Sequence, residues 1–157
     1  MARIDLIYPG KTRERFLADG IEDYSKRLAR FYTVAHSIVR SPAKQGKLSD
    51  KVFMERESAL LLQAVQPASY LVMLDRTGRA MRSEELACLL NHLEEQGKKT
   101  LSFVVGGYLG LAPGSLARAD LVLSLSAMTF THEMCRLFLV EQLYRAATIN
   151  AAVPYHL

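Results

Sequence analysis

Cysteine is scarce in this chain, since only Cys88 and Cys135 occur among 157 residues. Both lie in segments with helical periodicity, and neither belongs to a CxxC pair or a Cys/His cluster. The sequence therefore favours neither a disulfide framework nor a zinc site. Two reduced thiols are typical of a cytoplasmic protein, and we expect that location and no bound metal.

Long apolar runs are missing as well. None approaches the roughly 20 residues that span a bilayer, and the charges of Arg3 and Asp5 interrupt the apolar stretch that a secretion signal needs. The chain also contains no internal repeat and no low-complexity segment. We therefore expect a single globular domain over residues 1–157 that has no membrane partner.

Basic residues outnumber acidic ones, with 20 Lys and Arg against 16 Asp and Glu. This excess suits a polyanionic partner but does not require one. Part of it lies in a Pro- and Gly-containing loop that carries Arg40, Lys44, Lys47 and Lys51. Such a loop is usually only a solvated surface, whereas in an RNA-binding protein it would contact phosphates.

The apolar pattern alternates between strand-like and helix-like segments along the whole chain. The predicted strands are Arg3–Tyr8, Tyr32–Val39, Tyr70–Asp75, Leu101–Gly107 and Asp120–Ser126. The predicted helices run from Thr12 to about Phe31, from a cap at Ser49 or Asp50 to about Gln66, from Ser83 to about Gln96, and from a cap at Thr131 to about Ile149.

This alternation predicts an α/β fold with a mostly parallel sheet covered by helices on both faces, because the later strands are apolar on both sides. The last helix is apolar most of the way round. That pattern favours a central position in the fold together with contact with another subunit.

Three predicted strands end in segments that suggest a site: Leu74–Asp75, Gly106–Gly107, and the stretch SLSAMTF from Ser124. In parallel α/β sheets, ligands bind at the carboxyl ends of the strands. The glycines form a GGxxG pattern, which matches neither a dinucleotide-binding fingerprint nor a P-loop. A tight turn and a ligand cradle are therefore about equally supported.

The segment HEMCR at the start of the last helix begins like a zinc-protease motif but lacks the second histidine. His132 and Arg136 are four residues apart, so they share one helix face at the end that points to the strand ends. They are candidates for contact with an anionic or acyl group, and the alternative is an ordinary exposed helix start.

Three segments carry a resemblance to a known family: FVVGGYLGL (residues 103–111), LSLSAMTFTHEMCRLFLVEQLYRAATI (residues 123–149) and the ending PYHL. Together they resemble the small SPOUT-class RNA methyltransferases. Within that class the chain is most similar to the single-domain family that methylates N3 of a pseudouridine in helix 69 of 23S ribosomal RNA. The similarity covers essentially the whole chain and is most specific in its C-terminal third.

The resemblance implies a C-terminal deep trefoil knot, a homodimer, and S-adenosyl-methionine bound in the knot as methyl donor. Two residues depart from the family's usual pattern: Tyr108, where members have Pro or a small residue, and Thr131, where they commonly have Pro. We therefore expect a different pocket rim. By position, the residues expected in the donor pocket are Leu74, Gly106, Gly107, Leu125, Ser126, Ala127, Met128, Thr129 and Phe130.

The resemblance also suggests roles at the acceptor. His132 and Arg136 are expected near N3 of the base, although no carboxylate stands in an obvious place for a general base. The residues expected to bind RNA are Arg40, Lys44, Lys47, Arg145, Tyr155 and His156. Because the chain has no separate RNA-binding domain, the assembled ribosome is the expected substrate. The alternatives are another RNA acceptor, such as a tRNA ribose, and a non-catalytic ribosome-binding protein of the same fold.

Overall fold

The computed structural model describes residues 1–43 and 48–155, in which five strands alternate with five helices. The strands are β1 (Arg3–Pro9), β2 (Thr33–Val39), β3 (Tyr70–Ala80), β4 (Thr100–Val104) and β5 (Leu121–Ser124). The helices are α1 (Arg15–Leu28), α2 (Asp50–Gln63), α3 (Ser83–Glu95), α4 (Pro113–Leu116) and α5 (His132–Asn150). The predicted order of strands and helices is confirmed. Helix α4 was not predicted, because so short a helix shows no periodicity in the sequence.

All neighbouring strands of the sheet pair in parallel, in the order β2-β1-β4-β3-β5. On β1, Ile4 pairs with Val34 on one side and with Leu101 on the other. Ile4 and Leu101 are fully buried. The parallel sheet predicted from the doubly apolar strands is thus confirmed.

Helices cover both faces of this sheet. Successive residues of a strand point to opposite faces, so neighbouring residues of one strand pack against different helices. Leu6 of β1 belongs to the core under α1, α3 and α5, together with Leu90 and Leu143. The neighbouring Ile7 faces the other way and packs with Leu61 of α2. In the described part of the chain, no helix is long and apolar enough to cross a membrane.

Two predicted helix caps are present. The Ser49 hydroxyl accepts a hydrogen bond of 3.2 Å from the backbone N–H of Val52 at the start of α2. The Thr131 hydroxyl accepts one of 3.2 Å from Met134 at the start of α5. The second cap fixes where α5 begins, at the carboxyl ends of the strands.

Several predictions stay open at this level. Lys44, Lys47 and His156 lie outside the described residues. The threading of the C-terminal segment through a loop stays a prediction of the resemblance, because strand order and pairing do not define a knot.

Candidate active site at the carboxyl ends of the strands

A cavity of about 320 Å³ opens beside residues 74–76 of β3, where β4 and β5 end and α5 begins. All the residues expected in the donor pocket line it, with the exception of the exposed Ala127. The structure therefore brings the three separate segments that were predicted as strand ends together in one place. The expected residues in its walls are Leu74, Gly106, Gly107, Leu125, Ser126, Met128, Thr129 and Phe130.

The glycines of this wall form a tight turn. The N–H of Gly110 donates to the carbonyl of Gly107 at 3.0 Å, and Gly110 has a φ of +78°, which favours glycine. A Cβ on Gly106 would lie 2.9 Å from the carbonyl carbon of Gly110. The two alternatives for these glycines, a tight turn and a ligand cradle, do not exclude each other, because the backbone of this turn forms part of the cavity wall.

Helix α2 holds the turn from behind. A Cβ on Gly107 would lie 2.6 Å from Oε1 of Glu57, so only glycine fits against that carboxylate. The neighbouring Ser58 accepts a buried hydrogen bond of 2.9 Å from the N–H of Ala112. Glu57 itself is only 3% exposed, and its Oε2 accepts from Ser41 at 2.9 Å. Glu57 was not among the residues predicted from the sequence, although an acidic residue on the buried side of a helix is a usable signal.

The segment after β5 is held by its own serines. Ser124 donates to the carbonyl of Ser126 at 3.0 Å, and the Ser126 hydroxyl accepts from the N–H of Met128 at 3.0 Å. The side chain of Met128 is nevertheless 74% exposed, and Phe130 is partly exposed against Phe138. This rim of the cavity therefore presents apolar surface to the outside.

His132 is the first residue of α5 and lines the cavity. Partial burial, and next the positive charge of Arg136, lower the pKa of His132 below its ordinary value. The imidazole is therefore neutral near pH 7 and can accept a proton.

Arg136, expected near the acceptor together with His132, does not line the cavity. Its guanidinium is 3% exposed and binds the end of β1, with Nη2 donating to the carbonyl of Pro9 at 2.6 Å. Nη1 donates to the carbonyl of Gly10 at 3.0 Å and to the hydroxyl of Thr12 at 3.1 Å. The group also lies 4.2 Å from the centre of the Tyr8 ring. Arg136 thus fixes the start of α5 against β1.

Arg145 and Tyr155 lie far from this cavity within one chain. Arg145 follows His132 by thirteen positions along α5, a separation of about 20 Å. Arg145 forms a 2.6 Å ion pair with Glu141, and Tyr155 donates to the same carboxylate oxygen at 3.2 Å. Of the basic loop, Arg40 is described and exposed.

The cavity also has lining residues that were not among those expected in the donor pocket. They include Asp75, Arg76, Tyr108, Leu109 and Cys135. The sequence draws attention to Asp75 as a predicted strand end and to Tyr108 at the expected rim, and Arg76 directly follows Asp75. In the described part of the chain, no group of His, Cys, Asp or Glu could hold a metal ion.

The parallel sheet with helices on both faces and a cavity at its strand ends defines a fold found in solved methylase structures. The fold is similar to that of a protein described as a probable methylase family protein from Haemophilus influenzae Rd KW20, with a TM-score of 0.55. That comparison covers 96% of this chain and 68% of the other at 13% identity, so it concerns the fold alone.

Sequence comparison gives the family. A family model described as "Predicted SPOUT methyltransferase" matches residues 2–156. A relative from Desulfotalea psychrophila is 43% identical over 97% of both chains, and one from Desulforamulus reducens is 37% identical over 99% of both. Each is named ribosomal RNA large subunit methyltransferase H. The chain belongs to the SPOUT methyltransferase family.

Proposed function

We propose that this chain transfers a methyl group from S-adenosyl-methionine to N3 of a pseudouridine in helix 69 of 23S ribosomal RNA. The observation that carries the proposal is the cavity, which gathers the three predicted strand-end segments; two of them belong to the segments that carry the resemblance. The names of the full-length relatives support large-subunit ribosomal RNA as the substrate. A substrate of this kind is in the cytoplasm.

The donor fits the chemistry of the cavity. Its volume of about 320 Å³ lies at the lower end of the range of small-molecule sites. Apolar side chains and the backbone of the glycine turn form most of its wall, which suits an uncharged adenosine. When bound, the donor supplies a methyl group that its sulfonium already activates. The chain then needs to position the two substrates and exclude water.

His132 is the proposed general base. The N3 position carries an imide proton that must leave when the methyl group arrives, and a neutral imidazole at the cavity can accept it. The lowered pKa of His132 keeps that imidazole unprotonated at neutral pH. Arg136 supports this role indirectly, since it fixes α5 one turn beyond His132.

Arg145 and Tyr155 are proposed to bind RNA at a second protomer's site. Arg145 lies about 20 Å along α5 from the cavity of its own chain, and the Tyr155 ring lies beside it. These residues can therefore reach an acceptor base only if a dimer places that end of α5 opposite the partner's cavity. Helix α5 also keeps Leu137 and Phe138 partly exposed. We therefore extend the proposal to a homodimer packed through α5, with the C-terminal knot that the family resemblance implies.

A paired binding and transfer assay tests this function. Calorimetry should show S-adenosyl-methionine binding at micromolar affinity, worth about 8 kcal/mol. With radiolabelled donor, the purified protein should methylate ribosomes that lack the modification and should leave bulk tRNA unlabelled. Labelled tRNA would point to another acceptor, and absence of donor binding would point to a non-catalytic relative.

A further inference from the structure

Two adjacent residues give the cavity its fixed charges. Among the described residues that line it, only Asp75 and Arg76 are charged at neutral pH, and their signs are opposite. The remaining wall consists of apolar, hydroxyl-bearing and glycine residues together with the neutral His132. The cavity thus has one negative and one positive residue next to each other in an otherwise uncharged wall.

Asp75 and Arg76 both line the cavity although they are consecutive residues of β3, and they lie at an irregularity of that strand. Leu74 pairs with Leu123 of β5, and after a register shift Arg79 pairs with the same Leu123. The segment 75–78 is therefore an excursion between two pairings, and the alternation of a regular strand does not apply to it. Gly78 permits the excursion, because a Cβ there would lie 2.6 Å from the carbonyl oxygen of Val122.

The two charges do not neutralise each other. Oδ2 of Asp75 accepts from the backbone N–H of Thr77 at 2.9 Å and also from the Thr77 hydroxyl. Within residues 1–43 and 48–155, Oδ1 of Asp75 has no hydrogen-bond partner, and the side chain of Arg76 forms neither a hydrogen bond nor an ion pair. Arg76 is exposed at the rim. Both groups are therefore available to a ligand.

We infer that Asp75 and Arg76 bind the amino-acid part of the methyl donor. Asp75 binds the ammonium group of the donor, and Arg76 binds the carboxylate of the donor. This inference rests on the proposed function. The adenosine part is uncharged and suits the apolar wall, whereas the zwitterionic end needs one group of each sign. A guanidinium presents a planar fork that matches a carboxylate, and the Thr77 bonds hold the carboxylate of Asp75 in place.

Ligand truncation tests the assignment by measurements of binding. Calorimetry compares S-adenosyl-homocysteine with 5′-methylthioadenosine, which lacks the amino-acid part, on the wild type, Arg76→Ala and Asp75→Asn. Arg118→Ala is the matched control, because Arg118 is exposed and does not line the cavity. Arg76→Ala should weaken S-adenosyl-homocysteine about tenfold and leave 5′-methylthioadenosine unchanged within twofold. Asp75→Asn should act in the same direction, since an amide keeps an acceptor for Thr77 but loses the charge.

A third ligand separates the two residues. Decarboxylated S-adenosyl-methionine keeps the ammonium group and lacks the carboxylate. Arg76→Ala should therefore bind it as tightly as the wild type does, while Asp75→Asn should bind it more weakly.

Three outcomes would overturn the inference. Equal weakening of S-adenosyl-homocysteine and 5′-methylthioadenosine would mean that the variants only deform the cavity. Unchanged affinity for S-adenosyl-homocysteine in Arg76→Ala, with a raised KM for ribosomes, would assign Arg76 to an RNA phosphate instead. Failure of the wild type to bind any adenosyl ligand would overturn the proposed function as well, which distinguishes that failure from the other two.

Discussion

Nη2 of Arg136 donates a 2.6 Å hydrogen bond to the carbonyl oxygen of Pro9, so the C-terminal helix is joined to the end of the first strand. The same guanidinium binds Gly10 and Thr12 and covers the ring of Tyr8. Because His132 lies one helical turn before Arg136 on α5, this contact sets where His132 stands relative to the sheet.

Replacing Arg136 should destabilise the fold. Arg136→Ala leaves the buried carbonyl of Pro9 and the partly buried carbonyl of Gly10 without their charged donor, and we expect a loss of roughly 3 kcal/mol in the free energy of unfolding. Urea denaturation measures this loss. The control is Arg15→Ala, whose side chain is 94% exposed and 4.0 Å from Asp19, with an expected change below about 0.5 kcal/mol. Equal stability of the two variants would contradict the role given to Arg136.

Gly107→Ala should damage both the turn and donor binding. The added methyl group would lie 2.6 Å from the buried Glu57 carboxylate, so either α2 or the turn must move. We expect a loss of about 1–3 kcal/mol in stability and weaker donor binding by calorimetry. Gly114→Ala is the matched control, because a Cβ there meets nothing within 4 Å. Similar behaviour of both variants would show that the Glu57 contact does not constrain the turn.

The methylation rate should depend on the protonation of His132. Burial and Arg136 lower the pKa of His132, so the neutral base predominates at pH 7. The single-turnover rate should rise with pH through that lowered pKa, below the ordinary value of about 6.5, and become constant near neutrality. His132→Gln should lower the rate about 100-fold or more, leave donor affinity unchanged, and abolish the acid limb. An acid limb that persists at the same midpoint in His132→Gln would assign it to another group.

A mixing experiment tests whether the proposed RNA-binding end of α5 acts across the proposed dimer. His132→Ala and a chain lacking residues 155–157 should each be nearly inactive. Unfolding and refolding them together should restore part of the activity, because one site of each mixed dimer then has both an intact His132 and the partner's intact C-terminal segment. Mixtures as inactive as the separate variants would show that each site is built from one chain.

Tyr155→Phe refines that test. The ring of Tyr155 packs on Tyr144 with centroids 4.6 Å apart, and its hydroxyl lies within hydrogen-bond distance of the Tyr24 hydroxyl and of the Glu141 carboxylate. Phenylalanine keeps the packing and loses the hydroxyl, so KM for ribosomes should change less than in Tyr155→Ala. Equal effects of both substitutions would place the function of Tyr155 in its hydroxyl group.

Periodicity and capping residues were sufficient to predict most of the fold. Ser49 and Thr131 cap helices as expected, since a cap depends on neighbouring residues alone. The polar residues after Asp75 are typical of a turn, so the sequence predicts that the strand ends there. It does not predict that β3 pairs with β5 again from Arg79. That continuation depends on pairing with β5, which lies more than 40 residues further along the chain.

The candidate site was likewise predictable only where the local sequence or the topology determines it. Carboxyl ends of parallel strands lie at one edge of a sheet, so the convergence of the three segments follows from the topology. Helical spacing correctly places His132 and Arg136 on one face, yet it does not reveal that the long Arg136 side chain binds Pro9 and Gly10. The separation of Arg145 and Tyr155 from the cavity likewise depends on the length and direction of α5.

Mapping the methylated nucleotide tests the central claim most directly. Ribosomes lacking the modification are incubated with the purified protein and S-adenosyl-methionine, and 23S ribosomal RNA fragments are then analysed by mass spectrometry. We predict one added methyl group on N3 of a pseudouridine in helix 69, absent with His132→Gln. A methyl group at any other nucleotide, or none in donor-binding protein, would contradict the account.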